Sequence, residues 1–184
     1  MEALRASEFD DSMLARATAG DEIAFARIVA AYHSDMARVC NVVVGDAQLA
    51  LEAVQAAWPR IWRGIGSIRD PQKLRPWLVA VAVNEARRLR GQRGRRQVRE
   101  IAITSDVVET DAGGRGDPAE RAALIDLGNS LARLNDRDRT IVGMRYAAGM
   151  SSAEIGLAIG MSSGGVRARI ADLITVLRRD LSDE

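Results

Sequence analysis

The stretch that decides the fold class is Ser151-Ser-Ala-Glu-Ile-Gly-Leu-Ala-Ile-Gly-Met-Ser-Ser163, near the carboxyl end of the 184-residue sequence. Ser151 followed three residues later by Glu154 predicts a capping box, in which the two residues satisfy each other's unpaired amides at a helix start. The predicted helix is short. We expect it to end at Gly160, because glycine adopts the left-handed conformation that a tight turn needs. A serine after this turn then caps a longer helix. The pattern predicts a helix-turn-helix.

The longer helix of this motif has two different faces. Its predicted buried side, at helical spacing, consists of Val166, Ile170, Leu173, Leu177 and Leu181. The other side carries small residues and arginines, which suit close approach to a DNA major groove and donation to phosphate or guanine. The candidate DNA-contacting residues are Ser162, Ser163, Gly164, Arg167 and Arg169. A hairpin that only packs against a neighbouring helix is the alternative, and Asp172 opposes DNA binding because phosphate repels it.

The amino-terminal half also has helical patterns. Asp21 caps a helix whose apolar stripe reaches Met36, and Gly45-Asp46 ends that helix and starts the next. Pro59 lies inside the pattern of this second helix. Because proline removes a helical hydrogen bond, we expect a kink or a division there. The sequence therefore predicts at least two helices before residue 64.

Further helix starts follow along the chain. Asp70-Pro71 and Asp117-Pro118 each combine a cap with a first-turn proline, and Asp136 is the predicted cap of another helix. The segments Val42–Val44 and Val79–Val83 are β-branched enough for strands, but no turn signals frame hairpins around them. We therefore predict an all-α fold.

Charge divides the chain into parts. Seven arginines and no acid lie between Ala86 and Arg99, whereas seven acids and two arginines lie between Glu100 and Asp126. The acidic stretch also contains a glycine-rich run, without helical periodicity. Its acids either only solvate the segment or transiently mask the arginine run. We predict two small helical domains and a flexible acidic, glycine-rich linker, with domains at 8–100 and 117–184 and the linker at 101–116.

Composition excludes several classes of protein. Apolar residues make up 47% and the formal net charge is +1, so the chain can bury a core. The longest apolar run, Trp77–Val83, is too short to cross a bilayer, and the first residues lack the layout of a signal peptide. One cysteine and one histidine exclude an internal disulfide and a zinc site. We expect a soluble, cytoplasmic protein that does not insert into membranes, has no metal or other cofactor, and is monomeric when free.

The arginine run continues a helix that begins near Leu74. A solvated basic face is the simpler interpretation, and the tryptophans at 58, 62 and 77 fit a core role. However, the loop Gly64–Asp70 lies just before this helix, and a cationic groove beside a loop that receives an unstacked base suits single-stranded DNA. The candidate residues for that role are Ser67, Arg69, Trp77, Asn84, Arg87 and Arg88.

Several segments together resemble the bacterial extracytoplasmic-function (ECF) sigma factors of the sigma-70 superfamily. Those that resemble region two are Gly20–Phe25, Gly45-Asp46, the helix with Glu52, Gln55, Trp58 and Trp62, Leu74–Leu78 and Asn84. Those that resemble region four are Leu131–Leu134, Arg137, Arg139, Gly149–Ser151, Glu154-Ile155, Gly160–Ser162 and Val166–Ile170. The resemblance covers most of the chain and has both domains in the family's order.

The resemblance implies a promoter-specificity subunit with no catalytic activity of its own. Such a subunit binds core RNA polymerase, recognises a two-part promoter and helps to melt it, so it would be associated with the nucleoid. The loop and arginine helix would hold the melted minus-ten element, and the helix-turn-helix would read the minus-thirty-five element. An anti-sigma protein is a further implied partner. The implied polymerase-binding residues are Asp46, Glu52, Gln55 and Trp58.

Some residues depart from the family pattern. Ala56 and Pro59 are unexpected in the polymerase-binding helix, and Gly165, Ala168 and Asp172 are unexpected in the recognition helix. These departures leave a second hypothesis, a sigma-derived DNA-binding regulator that does not programme polymerase. An enzyme is the third, although the sequence contains no phosphate-binding loop, histidine-based nucleophile pair or metal cluster.

Overall fold

A computed structural model of the protein describes residues 12–101 and 118–182. Every regular element in these ranges is helical, which confirms the predicted all-α fold. The predicted domain start at residue 8 and all but the first residue of the predicted linker lie outside these ranges. The helices are α1 (residues 12–18), α2 (Glu22–Val44), α3 (Ala47–Gly64), α4 (Leu74–Ile101), α5 (Pro118–Arg133), α6 (Asp136–Val142), α7 (Ser152–Ile159) and α8 (Ser163–Ser182). Two 3-10 turns, Ile65–Ser67 and Pro71–Lys73, join α3 to α4, and a π-helical turn over Gly143–Ala147 follows α6.

The helix boundaries in the first half follow the predicted caps. The Asp21 carboxylate accepts hydrogen bonds from the amides of Ile23 and Ala24 at 2.9 and 3.0 Å. Gly45 ends α2 with φ at 72°, and Asp46 then accepts from the Leu49 amide at 2.8 Å. These side chains satisfy amides that have no partner inside their helices.

Of the kink or division predicted at Pro59, the division is wrong. Helix α3 runs unbroken through this proline, which removes only one amide from the helical ladder. Gln55, whose carbonyl loses that donor, is exposed to water. Ala57 and Ile61 on either side are fully buried, so packing of the opposite face holds the helix together.

Helices α2, α3 and α4 pack against one another around one apolar core. Met36, Val54, Ile61 and Leu78 are fully buried there, and each buried side chain of this size stabilises the fold by roughly 1.5–3 kcal/mol. Cys40 lies in the same core, where burial raises the pKa of its thiol to about 12. The core thus fixes the α3–α4 pair, which carries most of the candidate site.

Two local predictions in the second half are corrected. The cap of α6 is Asn135, whose side chain accepts from the Asp138 amide at 3.0 Å, and Asp136 is the first residue of the helix instead. Leu181, predicted to be buried, is 44% exposed because it lies in the last turn of α8 at the rim of an apolar groove. Val166 and Leu173 are buried as predicted.

The two halves of the molecule pack directly on each other. Buried residues of both halves form one continuous apolar cluster. A Cβ atom added to Gly143 of the second half would lie 3.2 Å from the Cβ of Val42 in α2. A glycine at this position therefore permits tight contact between the halves.

Candidate nucleic-acid interface

The helix-turn-helix is formed by α7 and α8 as predicted. Ser151 Oγ accepts from the Glu154 amide at 3.2 Å, and the Glu154 carboxylate accepts from the Ser151 amide at 2.8 Å. Gly160 adopts φ 69° in the turn, and Ser162 caps α8 by accepting from the Gly165 amide at 3.1 Å. Ser162, rather than Ser163, is thus the cap of α8, and side-chain hydrogen bonds cap the amino-terminal ends of both helices.

Gly156 is a residue of α7, packed against this turn, that the sequence patterns did not single out. Its carbonyl accepts from the Met161 amide at 2.9 Å. A Cβ atom at position 156 would lie only 2.4 Å from the backbone oxygen of Met161. The close approach of α7 to the turn therefore requires glycine, but nothing in the local pattern distinguishes Gly156 from an ordinary helix residue.

The outer face of α8 carries small side chains and an exposed arginine near its start. Gly164, Arg167 and Ala168 are exposed, and within the described residues Arg167 makes no ion pair. Ser163 is partly covered. Exposed Asp172 lies further along the same helix. The face can approach a groove closely and present a guanidinium to a base edge.

Arg169, predicted as a DNA contact, is held by a carboxylate within the same half. Its Nε and Nη2 atoms donate to the two oxygens of Asp138 at 2.8 and 2.5 Å. These hydrogen bonds lower the pKa of Asp138, which is almost fully buried. The two-point contact fixes the guanidinium plane of Arg169 and leaves only part of it for another partner.

The other candidate DNA residues are on α4 and the loop before it. Asn84 and Arg88 are exposed on α4, and Trp77 is half-buried on the same helix. The loop residues Ser67 and Arg69 are both exposed, and Ser67 Oγ donates to the Gly64 carbonyl at 2.7 Å. The structure thus places the Trp77 ring beside Gly64, at the start of the loop, with Asn84 and Arg88 further along α4.

Arg87 differs from the other α4 candidates because it faces the second half of the molecule. Its Nη2 atom donates to the Asp136 carbonyl at 3.0 Å and to Thr140 Oγ1 at 2.8 Å. Asn84 and Arg87 line a cleft of about 400 Å³ between α4 and the carboxyl-terminal helices. Arg87 is therefore an inter-domain contact in this arrangement.

Other arginines that sequence patterns did not single out also join the halves. Arg75 donates to Asp35 at 2.7 Å, to Glu154 at 3.3 Å and to the Ala148 carbonyl. Because Glu154 also belongs to the capping box with Ser151, Arg75 connects α4 to the start of α7 in the helix-turn-helix.

A second arginine cluster closes the carboxyl end of α2. The Val43 carbonyl, which has no helical partner there, accepts from Arg90 at 2.9 Å and from Arg139 at 3.0 Å. Arg90 also pairs with Asp136 at 2.5 Å, and its hydrogen bond lowers the pKa of that carboxyl. The charges that bridge the halves are thus mostly arginines paired with carboxylates or carbonyls.

The candidate polymerase-binding residues on α3 are in three different environments. Gln55 is exposed. Asp46 and Glu52 both contact Arg93 of α4, at 2.8 and 3.2 Å. Trp58 packs edge-on against Phe25, with ring centroids 5.8 Å apart, and donates to His33. Trp58 therefore acts in packing, and Gln55 is the most accessible of the four.

The described ranges hold neither a candidate metal site nor a membrane-spanning helix. No cluster of three or more potential metal ligands occurs among residues 12–101 and 118–182. Among the helices of the same ranges, none combines the length and the apolar character needed to span a membrane.

The chain matches known proteins in both halves. Residues 28–96 match Sigma-70 region 2, and residues 130–179 match Sigma-70, region 4. RNA polymerase sigma-H factor of Pseudomonas aeruginosa is 30% identical over 176 residues, which cover 89% of each chain. ECF RNA polymerase sigma factor SigW of Bacillus subtilis is 27% identical over 177 residues, which cover 89% of this chain and 92% of SigW.

A solved structure shares the fold. The sigma factor RpoE of Bartonella quintana, crystallised in complex with the anti-sigma factor NepR, superposes with a TM-score of 0.65 at 18% identity, covering 86% of this chain and 96% of that one. The two Sigma-70 regions occur in the family's order, and the 30% identical relative matches along most of its length. The chain therefore belongs to the sigma-70 family, among its ECF sigma factors.

Proposed function

We propose that this chain is a promoter-specificity subunit that binds core RNA polymerase and directs it to promoters. The observation that carries the proposal is the pairing of a region-two match, which includes the arginine-rich α4, with a region-four match, which includes a complete helix-turn-helix. Polymerase supplies the catalysis, and the chain itself acts by binding alone. This role places it in the cytoplasm, at the nucleoid.

Region four would read duplex DNA at the minus-thirty-five element. The exposed Gly164, Arg167 and Ala168 form the face that enters the major groove, and Ser162 and Ser163 at the start of α8 lie near the backbone phosphates. Arg167 is the residue with a guanidinium available to a base edge, where a two-point contact to guanine is worth about 1–3 kcal/mol of discrimination. Arg169 would orient the helix through Asp138 and donate its remaining N–H groups to phosphate.

Region two would hold the melted minus-ten element. Ser67 and Arg69 in the loop, with Trp77, Asn84 and Arg88 on α4, form the track for the strand. Flipping a base out of the stack costs a few kcal/mol, which the track's stacking and backbone contacts would offset. Arg87 would join this track when the two halves separate.

The polymerase contact would centre on Gln55 of α3. Asp46 at the cap of this helix and Glu52 within it would contribute carboxylates, and Trp58 would support the surface from beneath. We assign residues 8–100 to polymerase and minus-ten binding, 101–116 to the linker and 117–184 to minus-thirty-five binding. The likeness to a sigma factor solved with its anti-sigma factor supports an anti-sigma protein as a further partner of this chain.

The test is a transcription assay with purified components. The full chain and core RNA polymerase are incubated with fragmented genomic DNA, and transcript starts are sequenced against core polymerase alone. We expect discrete new starts that share two upstream elements. Absence of new starts, with folded protein and active polymerase, contradicts the proposal.

Two variants assign the roles of the halves. Gln55→Ala is expected to weaken core binding and all new transcripts together. Arg167→Ala is expected to change the preferred upstream bases and leave core binding intact. Arg179→Ala removes the same side chain from the exposed carboxyl-terminal part of α8, and serves as its matched control.

A second candidate function is a DNA-binding regulator that does not programme polymerase. It is favoured by the contact of Arg93 with Asp46 and Glu52, which occupies both predicted polymerase-binding carboxylates. For this function, the chain would bind operator DNA without polymerase, and the transcription assay would give no new starts.

A further inference from the structure

One buried carboxylate on α4 holds two exposed arginines. Glu85 is 2% exposed, whereas the side chains of Arg60 on α3 and Arg88 on α4 are 56% and 44% exposed. Arg60 Nη1 donates to Glu85 Oε2 at 2.5 Å, and Arg88 Nη2 donates to Oε1 at 2.5 Å. Arg88 Nε lies 3.1 Å from both oxygens. The two guanidiniums are therefore neighbours at the surface, anchored from below.

The three charges leave one net positive charge at the surface. Hydrogen bonds from Arg88 and then Arg60 hold the pKa of Glu85 below its ordinary value, so the carboxylate stays ionised at neutral pH. A guanidinium has five N–H donors, and the contacts to Glu85 use one of Arg60 and two of Arg88. Both side chains remain exposed while the shared carboxylate holds them in place.

The pair lies beside the candidate strand track. On α4, Asn84 and Arg88 follow Trp77 by seven and eleven residues. Both separations are close to whole numbers of helical turns of about 3.6 residues, so the three residues share one stripe of the helix. Glu85 lies on the flank of this stripe that faces α3, and it brings Arg60 alongside. Arg60 is thus a residue of α3 that borders the track.

We infer that Arg60 and Arg88 form a phosphate-binding pair for the melted promoter strand, with Glu85 as its positioning residue. The inference rests on the proposed function, and it adds a residue of α3 to the DNA contacts. Guanidinium groups match the geometry of phosphate oxygens, which two neighbouring forks can grip together. Because Glu85 fixes both side chains beforehand, less conformational entropy is lost when the phosphate binds.

The first test measures binding of a fluorescein-labelled, mixed-sequence 25-nucleotide single strand as a function of salt. It uses the full chain both alone and assembled with core polymerase, with core alone as background. Arg60→Gln is expected to weaken binding about 5- to 10-fold and to reduce the slope of log affinity against log salt by about 0.7, the value for one phosphate on a single strand. Arg16→Gln, which removes a 50% exposed guanidinium paired with Asp21, is the control and should leave the slope unchanged.

Affinity for core polymerase is measured on the same variants. We expect Arg60→Gln to leave it unchanged. A loss of core affinity with unchanged DNA binding would show that the pair faces polymerase and would overturn the inference, as would no change in either. If the unaltered chain fails to bind core, the proposed function fails, while the free-chain titration still tests the phosphate pair.

The positioning role of Glu85 has its own test. Glu85→Gln raises the net charge of the site by one, so long-range attraction alone predicts tighter DNA binding. Positioning predicts the opposite, because the guanidiniums lose their shared anchor and repel each other. Weaker binding, at unchanged helical content by circular dichroism, supports the inference, and tighter binding refutes it. Arg60→Lys leaves Glu85 intact should Glu85→Gln not fold; we expect it to keep the salt slope but lose part of the affinity.

Discussion

Replacement of Gly156 by alanine is expected to destabilise the helix-turn-helix. A Cβ atom at this position would lie 2.4 Å from the Met161 oxygen, about 1 Å closer than ordinary contact. The oxygen belongs to the backbone of the turn, so it cannot move aside as a side chain would. The turn must open, or α7 must shift away from it.

The size of the effect follows from two opposing terms. Overpacking of this kind typically costs about 1–3 kcal/mol, and the limited freedom of a backbone atom favours the upper end. Alanine regains about 1 kcal/mol over glycine inside a helix. The net expectation is a loss of about 1–2 kcal/mol, or roughly 2–8 °C in melting temperature for a chain of this size.

A glycine elsewhere in the same half provides the control. Gly128 lies inside α5, and a Cβ atom there would meet nothing within 4 Å. Gly128→Ala is therefore expected to stabilise the protein by about 0.5–1 kcal/mol. Both variants are compared by urea unfolding followed by circular dichroism. Equal effects of the two substitutions, or a stabilising Gly156→Ala, would refute the steric reasoning.

Three other perturbations test separate features. Arg75→Ala should loosen the packing of the two halves by about 2–3 kcal/mol, seen as a larger radius of gyration in small-angle scattering; an unchanged radius would contradict it. Arg169 lowers the pKa of Asp138, so the ionised carboxylate contributes its full stabilisation of the folded protein above the unfolded pKa near 3.8, and that contribution is lost as pH falls below it. Urea unfolding measured against pH should show this loss of stability, and Asp138→Asn should make the loss smaller. Gly64→Ala places a Cβ atom 3.1 Å from Trp77 Cζ2, so the ring must shift and single-strand affinity should fall.

Local chemistry made the helix-turn-helix predictable. The capping box at Ser151 and Glu154 and the turn at Gly160 depend on residues close in sequence, and the structure has all three in their predicted roles. The cap of α6 was misplaced by one residue because Asn135 and Asp136 are both good caps, and only the observed hydrogen bond to the Asp138 amide distinguishes them.

Contacts between distant residues were not predictable. Arg90 belongs to the arginine run that reads as a solvated or DNA-binding face, and Arg75 lies before that run on α4, yet both hold partners in the other half. Their partners lie far away along the chain, and no pattern in one sequence specifies such pairs. The burial of Glu85 was equally hidden: the residue lies seven positions after buried Leu78, but its charge and the basic helix around it favour a surface position.

The hydrogen bonds of Arg87 make the affinity for the melted DNA strand depend on the interface between the two halves, which does not itself contact that strand. A phosphate that takes Nη2 must displace the Asp136 carbonyl and Thr140 Oγ1, so its measured dissociation constant includes the work of separating the halves. By linkage, the apparent constant equals the intrinsic one divided by the fraction of molecules already open. Each 1.4 kcal/mol or so of domain packing thus lowers the affinity observed at Arg87 about tenfold. Substitutions at the domain interface would therefore register as changes in promoter affinity, although they lie outside the DNA-contacting surface.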